Sequence, residues 1–228
     1  MYDHIAFYDN YPREIGVFAG EYATHTEDKE NTNGAALAEA AFMTGLEKNA
    51  GVIKLASYAP LFNRIGHSQW KPDMIWFDDH EVYLTPNYYV QKLYANHVGD
   101  HTLQLNGQDE TLRKAGIYVT ASETKEGKLI LKAVNTTDDA FLLPVEGADG
   151  QPVAGAAKIW VLETAGEKPA DKPEPSKVAE CALELNGSIR LAPKSFTVLE
   201  VVALKRGILR SIFALQDAIS RKKQSIYR

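Results

Sequence analysis

Two hydrophobic periods divide the chain near Gly99. Before that point, short unbroken apolar runs alternate with stretches of helical period. Ile15-Gly16-Val17-Phe18-Ala19 reads as a buried parallel strand ending at Gly20-Glu21-Tyr22. A polar loop over Thr24 to Asn33 follows. Gly34 to Asn49 then reads as a helix with Leu37, Ala40, Ala41, Thr44 and Gly45 along one face, and Glu39, Glu47 and Lys48 outside. Gly51 stops it. Val52 to Tyr58 is a second strand, broken by Pro60, and Thr85-Pro86 opens a second helix over Asn87 to Asn96. Strand, helix, strand, helix is the order of repeated β/α units. Two such units close neither a barrel nor a doubly wound sheet, so residues 1–99 are expected to be part of a larger assembly.

After Gly99 the period shortens to two. Runs at Thr102–Asn106, Gly116–Ala121, Lys128–Asn135, Phe141–Val145, Ile159–Leu162 and Phe196–Val202 are separated by Gly, Asp and Asn turns. That spacing indicates an antiparallel β-sandwich over residues 100–204. Gly166 to Lys177, with Pro169, Pro173 and Pro175, reads as a charged loop. In the tail, residues 205–228, Ile208, Leu209, Ile212, Phe213, Leu215 and Ile219 fall at helical spacing among Arg206, Arg210, Arg221, Lys222, Lys223 and Arg228. The tail reads as a basic amphipathic helix, either a membrane-surface or partner-binding helix, or a solvated helix packing on the sandwich or non-native sequence from an imperfect gene end.

Composition narrows the chemistry. With 45% hydrophobic and 24% charged residues among 228, the chain is of ordinary globular make-up. A net charge of -5 argues against nucleic acid as a partner, because phosphate binding needs a basic face. The single cysteine, Cys181, permits neither an internal disulfide nor a cysteine zinc cluster. The six histidines show no metal-ligand spacing, and no Gly-rich phosphate loop or Gly-x-Ser-x-Gly elbow occurs. No metal or cofactor is therefore expected. Met1-Tyr2-Asp3-His4 has neither the basic nor the apolar region of a signal peptide. The protein is expected to be cytoplasmic, or secreted with further sequence upstream.

In β/α folds reactive groups gather at the carboxyl ends of the strands. Here that rule selects Glu21, with the Tyr22 hydroxyl beside it, and the stretch Ser57 to Asn63. A strand-end carboxylate is suited to nucleophilic or proton-transfer work, although such residues are more often ion-paired surface groups. The region after the second strand is aromatic, with Tyr58, Phe62, Trp70, Trp76 and Phe77. Aromatic faces stack on sugar rings. Trp70, set in a polar stretch, is the best contact candidate; Tyr58, Phe62 and Phe77 read equally well as core.

The stretch Val17 to Ala23 (VFAGEYA) resembles the nucleophile strand of glycoside hydrolase family 51 α-L-arabinofuranosidases. Ala36 to Ala50, Ala56 to Phe62, Trp70 to Asp78 and Thr85 to Leu93 continue that resemblance in order over about 80 residues. The resemblance implies the C-terminal part of a (β/α)8 TIM barrel followed by an antiparallel β-sandwich. It implies a retaining, exo-acting enzyme that removes terminal arabinofuranosyl residues from arabinose-containing oligosaccharides or polysaccharides. Glu21 matches the nucleophile, Asn63 falls near where some members place an amide side chain against the sugar, and Trp70 is a wall of that site; Tyr22 remains a substrate-binding candidate from its place beside Glu21. The acid/base glutamate of the family lies in an Asn-Glu pair on an earlier strand, and no such pair occurs in these 228 residues. Family members are often homo-oligomers. The alternatives are a non-catalytic carbohydrate-binding module and a related barrel glycosidase with another sugar specificity.

Overall fold

The computed structural model describes residues 1–105, 109–164, 172–202 and 211–212. These residues are mostly strand, with few helices, and they form two compact units. One comprises Met1–His97 with Val161–Ala179, the other Val98–Trp160 with Glu180 onward.

The first unit opens with a 3-10 turn at Tyr2–His4, then β1 (Val17–Tyr22), α1 (Asn33–Lys48) and β2 (Ile53–Tyr58). β1 and β2 pair in parallel, with Phe18 opposite Leu55 and Tyr22 opposite Tyr58. α1 is thus the crossover of a βαβ unit. The Thr32 hydroxyl caps it by accepting from the Ala35 N–H, and Ala35, Ala36, Ala38, Ala40 and Ala41 are buried around most of its circumference. Small side chains let several elements approach α1 at once. At Gly45 the backbone carbonyl of Ile5 comes so close that an added Cβ would lie 2.1 Å from it.

Two expectations for this unit need correction. Glu39 does not lie on the outer face of α1; it is wholly buried, because the helix is covered on nearly all sides rather than along one stripe. β1 is parallel but not buried. Phe18 is 60% and Leu55 63% exposed, since the sheet has only two strands and one of its faces is uncovered.

Past β2 a small three-stranded sheet is formed by β3 (Phe62–Arg64), β4 (Ile75–Phe77) and β5 (Val82–Leu84). β3 runs parallel to β4, and β4 antiparallel to β5. α2 (Pro86–Asn96) follows. Thr85 caps it by accepting from the Tyr88 N–H while donating to the Met74 carbonyl, and Pro86 stands in the first turn. The Tyr94 hydroxyl donates to the Ala40 carbonyl at 2.8 Å, tying α2 to α1.

Residues 172–175 return to this unit. The Glu174 carboxylate accepts from the Asn33 N–H at the start of α1, and Lys172 donates to the Tyr83 hydroxyl at 2.6 Å. A carboxylate on the free N–H groups of a helix N-terminus is favourably placed with respect to the helix dipole.

The second unit contains β6 (His101–Leu105), α3 (Asp109–Lys114), β7 (Ile117–Glu123), β8 (Leu129–Asn135) and β9 (Phe141–Pro144). β10 (Ala154–Thr164), β11 (Ser176–Asn186), β12 (Ser188–Leu191), β13 (Ser195–Val201) and β14 (Ser211–Ile212) complete the strands, β10 and β11 each crossing from one unit to the other. A seven-stranded sheet has the order β11-β10-β13-β8-β7-β6-β14, and β12 pairs antiparallel with β9. β8 is buried along its whole length between β7 and β13, both antiparallel to it. α3 and β12 were not expected, and β11 begins at Ser176, inside the stretch read as loop. Of the tail, only Ser211–Ile212 is described, as a short strand parallel to β6 rather than a helix. The remainder of the tail, and residues 165–171 of the Pro-rich stretch, lie outside the described residues.

Candidate active site

β1 and β2 end side by side at Tyr22 and Tyr58, and the Ala59 N–H donates to the Tyr22 carbonyl just beyond. The chain then diverges on both sides. This is where parallel strands leave room for a ligand. A cleft of about 550 Å³ lies there, lined by Glu21, Tyr22, Ala23 and His25 from the β1 side and by Ala59, Pro60 and Trp70 from the β2 side. The Glu21 side chain is exposed and makes no hydrogen bond or ion pair within the described residues. It is the one carboxylate among the cleft's lining residues.

Tyr22 turns inward. Its hydroxyl donates to Gln91 Oε1 at 2.7 Å, and its ring lies against those of Phe42 and Tyr58 at centroid distances of 5.6 and 6.0 Å. Burial, and then the nearby Glu39 carboxyl, push its pKa well above the ordinary tyrosine value. It acts as a neutral hydrogen-bonding group and cannot serve as a base near neutral pH. Trp70 is 57% exposed, with the Lys29 ammonium 5.6 Å from its ring centroid. A broad exposed indole face is the surface on which a sugar ring stacks.

Asn63 is placed differently. It is 4% exposed on β3, opposite Trp76 on β4, and does not line the cleft. The buried amide that organises this region is Asn31. Its Nδ2 donates to Asn87 Oδ1 at 2.9 Å, and its Oδ1 accepts from Trp76 Nε1 at 3.2 Å and from the Asp73 N–H at 3.3 Å. Neither Asn31 nor His25 was singled out in the sequence. Both lie in the polar Thr24–Asn33 loop, where nothing in the hydrophobic pattern separates a buried or cleft-facing residue from a solvated one.

Beneath the cleft lies Glu39. Its Oε1 accepts from the Thr24 N–H at 2.8 Å, while Oε2 has no hydrogen-bond partner. Burial pushes its pKa up to about 8, against smaller lowering contributions from the Asn87 amide and the Thr24 N–H. Among the described residues no group of His, Cys, Asp and Glu side chains is arranged to hold a metal ion, and no helix is long and apolar enough to cross a membrane.

Known proteins resemble this chain at several levels. The family model for the α-L-arabinofuranosidase C-terminal domain matches residues 14–203. An extracellular exo-α-L-arabinofuranosidase of Streptomyces chartreusis is 50% identical over 97 residues, which are 42% of this chain and 11% of that protein. α-L-Arabinofuranosidase A of Aspergillus niger is 40% identical over 170 residues, 71% of this chain and 27% of that protein. α-L-Arabinofuranosidase 1 of Arabidopsis thaliana is 34% identical over 200 residues, 82% and 29% respectively. The chain thus spans less than a third of the length of each of these relatives. Among solved structures, an arabinose-bound family 51 α-L-arabinofuranosidase superposes with a TM-score of 0.71 at 26% identity, covering 88% of this chain and 34% of the other. The match of the family model over most of its length, with these relatives beside it, makes this chain a member of the α-L-arabinofuranosidase C-terminal domain family, within glycoside hydrolase family 51.

Proposed function

We propose that this chain forms part of a retaining, exo-acting α-L-arabinofuranosidase in which Glu21 is the nucleophile. The observation that carries this reading is an exposed, unpaired carboxylate at the carboxyl end of a parallel strand, beside an exposed indole. Glu21 attacks the anomeric carbon of a terminal arabinofuranosyl unit and displaces the leaving oxygen, forming a covalent glycosyl-enzyme. A second carboxyl group protonates that oxygen and then deprotonates the water that hydrolyses the intermediate; in retaining enzymes the two groups stand about 5–5.5 Å apart. No second carboxylate lines this cleft within the described residues, and Glu39 is sealed from any substrate. In this reading the acid/base is the glutamate of the family's Asn-Glu pair, which these 228 residues do not contain.

The open parallel sheet supports the same division. Parallel strands are normally covered on both faces. Phe18 and Leu55, side by side and exposed, would be covered in a closed barrel to which β1 and β2 contribute two strands. Trp70 forms one wall of the sugar site, and Tyr22 supports Glu21 from below. The substrates are arabinose-containing oligosaccharides or polysaccharides, and the name of the Streptomyces relative favours action outside the cell.

The test is hydrolysis of p-nitrophenyl α-L-arabinofuranoside by the complete gene product. Glu21→Ala is expected to abolish turnover, and azide is expected to restore it by occupying the vacated position, giving a glycosyl azide of inverted configuration. Full activity in Glu21→Ala would refute the assignment.

A further inference from the structure

Glu39 presents a physical puzzle. Within α1 its neighbours are mostly alanine, the Asn87 amide and the Tyr22 and Tyr58 side chains lie near it, and the carboxyl group loses its hydration for one hydrogen bond, from the Thr24 N–H. A leucine would suit the helix better, because burying a polar group costs free energy unless it is fully paired. The acid must therefore do something that an apolar residue cannot.

The backbone it holds indicates what that is. Pairing between β1 and β2 ends at Tyr22 and Tyr58. Beyond it, Ala23 and His25 form one wall of the cleft, and the Thr24 N–H between them points inward to Glu39 Oε1. Glu39 thus ties this wall to α1. The Tyr22–Gln91 and Asn31–Asn87 bonds tie neighbouring parts of the same floor to α2.

We propose that Glu39 is a positioning residue for Glu21, fixing the exit of β1 through the Thr24 N–H so that the nucleophile and the cleft wall hold one geometry. The inference rests on the reading of Glu21 as nucleophile. What it requires of residue 39 is an acceptor oxygen, not a charge. Displacing a reacting group by about 1 Å costs on the order of 10²-fold in rate.

The experiment compares Glu39→Gln, Glu39→Met and Glu39→Ala in the complete gene product, with wild type and Glu21→Ala as controls. Glutamine keeps the acceptor and is expected to hold kcat within about threefold of wild type. Methionine keeps the volume and loses the acceptor; kcat is expected to fall about 10²-fold with KM little changed and the melting temperature within a few degrees. Wild-type kcat in a folded Glu39→Met would overturn the proposal. So would loss of fold in Met and Ala alike with Gln intact, which would make the contact purely structural. An inactive wild-type protein would instead refute the arabinofuranosidase reading, so the two failures are distinguishable.

Discussion

Replacing Glu39 by glutamine should also change how stability depends on pH. In the unfolded chain a glutamate titrates near 4.5, whereas burial raises Glu39 in the fold to about 8. Below pH 4.5 both states carry the proton and there is no difference between them. Between the two values the folded state holds one more proton than the unfolded state, so wild-type stability falls as pH rises. The slope approaches 1.4 kcal/mol per pH unit, and the total reaches roughly 5 kcal/mol above pH 8. Glutamine does not titrate. The stability of Glu39→Gln relative to wild type should therefore increase by about 2.5 kcal/mol between pH 5 and pH 7. Urea unfolding of both proteins at pH 5, 6 and 7 measures this as a difference of differences, in which every other titrating group cancels. A difference independent of pH would mean that Glu39 is ionised in the fold, and would refute the argument that burial keeps it neutral.

Two further outcomes follow from geometry. Gly45→Ala places a methyl group 2.1 Å from the Ile5 carbonyl, so the N-terminal turn must move; a loss of about 1–3 kcal/mol in chemical denaturation is expected despite alanine's better helix propensity. Trp70→Ala removes the exposed stacking face while leaving the floor of the cleft intact; KM should rise roughly 2- to 10-fold with kcat nearly unchanged, and an unchanged KM would exclude Trp70 from the sugar site.

The βαβ core was legible because each boundary carries its own chemistry. Pro60 ends β2, Gly51 follows α1, and Pro86 opens α2. Glu21, Tyr22 and Trp70 were marked by strand-end position and by a lone indole in polar sequence, and all three line one cleft. Asn63 lies buried on β3 and outside the lining of this cleft, since a resemblance fixes order along the chain and not the direction in which a side chain points. Glu39 was illegible for a different reason. Helical period assigns a carboxylate to the solvent face, and only the Thr24 N–H, supplied by a loop with no pattern of its own, reveals a role inside. β11 has the Ala, Glu, Lys and Leu content of a helix, and it forms a strand through tertiary pairing that no local propensity encodes. α3 is short and held by Asp109–Arg113 and Glu110–Lys114 pairs, so it has little apolar face to detect.

The return of Glu174 to the start of α1 bears on how the protein is made. Asn33 and Glu174 are 141 positions apart, and the ribosome delivers them in that order. At about 5–20 residues per second, roughly 7–30 s separate their appearance. Throughout that interval α1 has Thr32 at its N-terminus but not the distant carboxylate. The unit carrying Glu21 thus gains this helix-terminal contact only when synthesis of the second unit is well advanced.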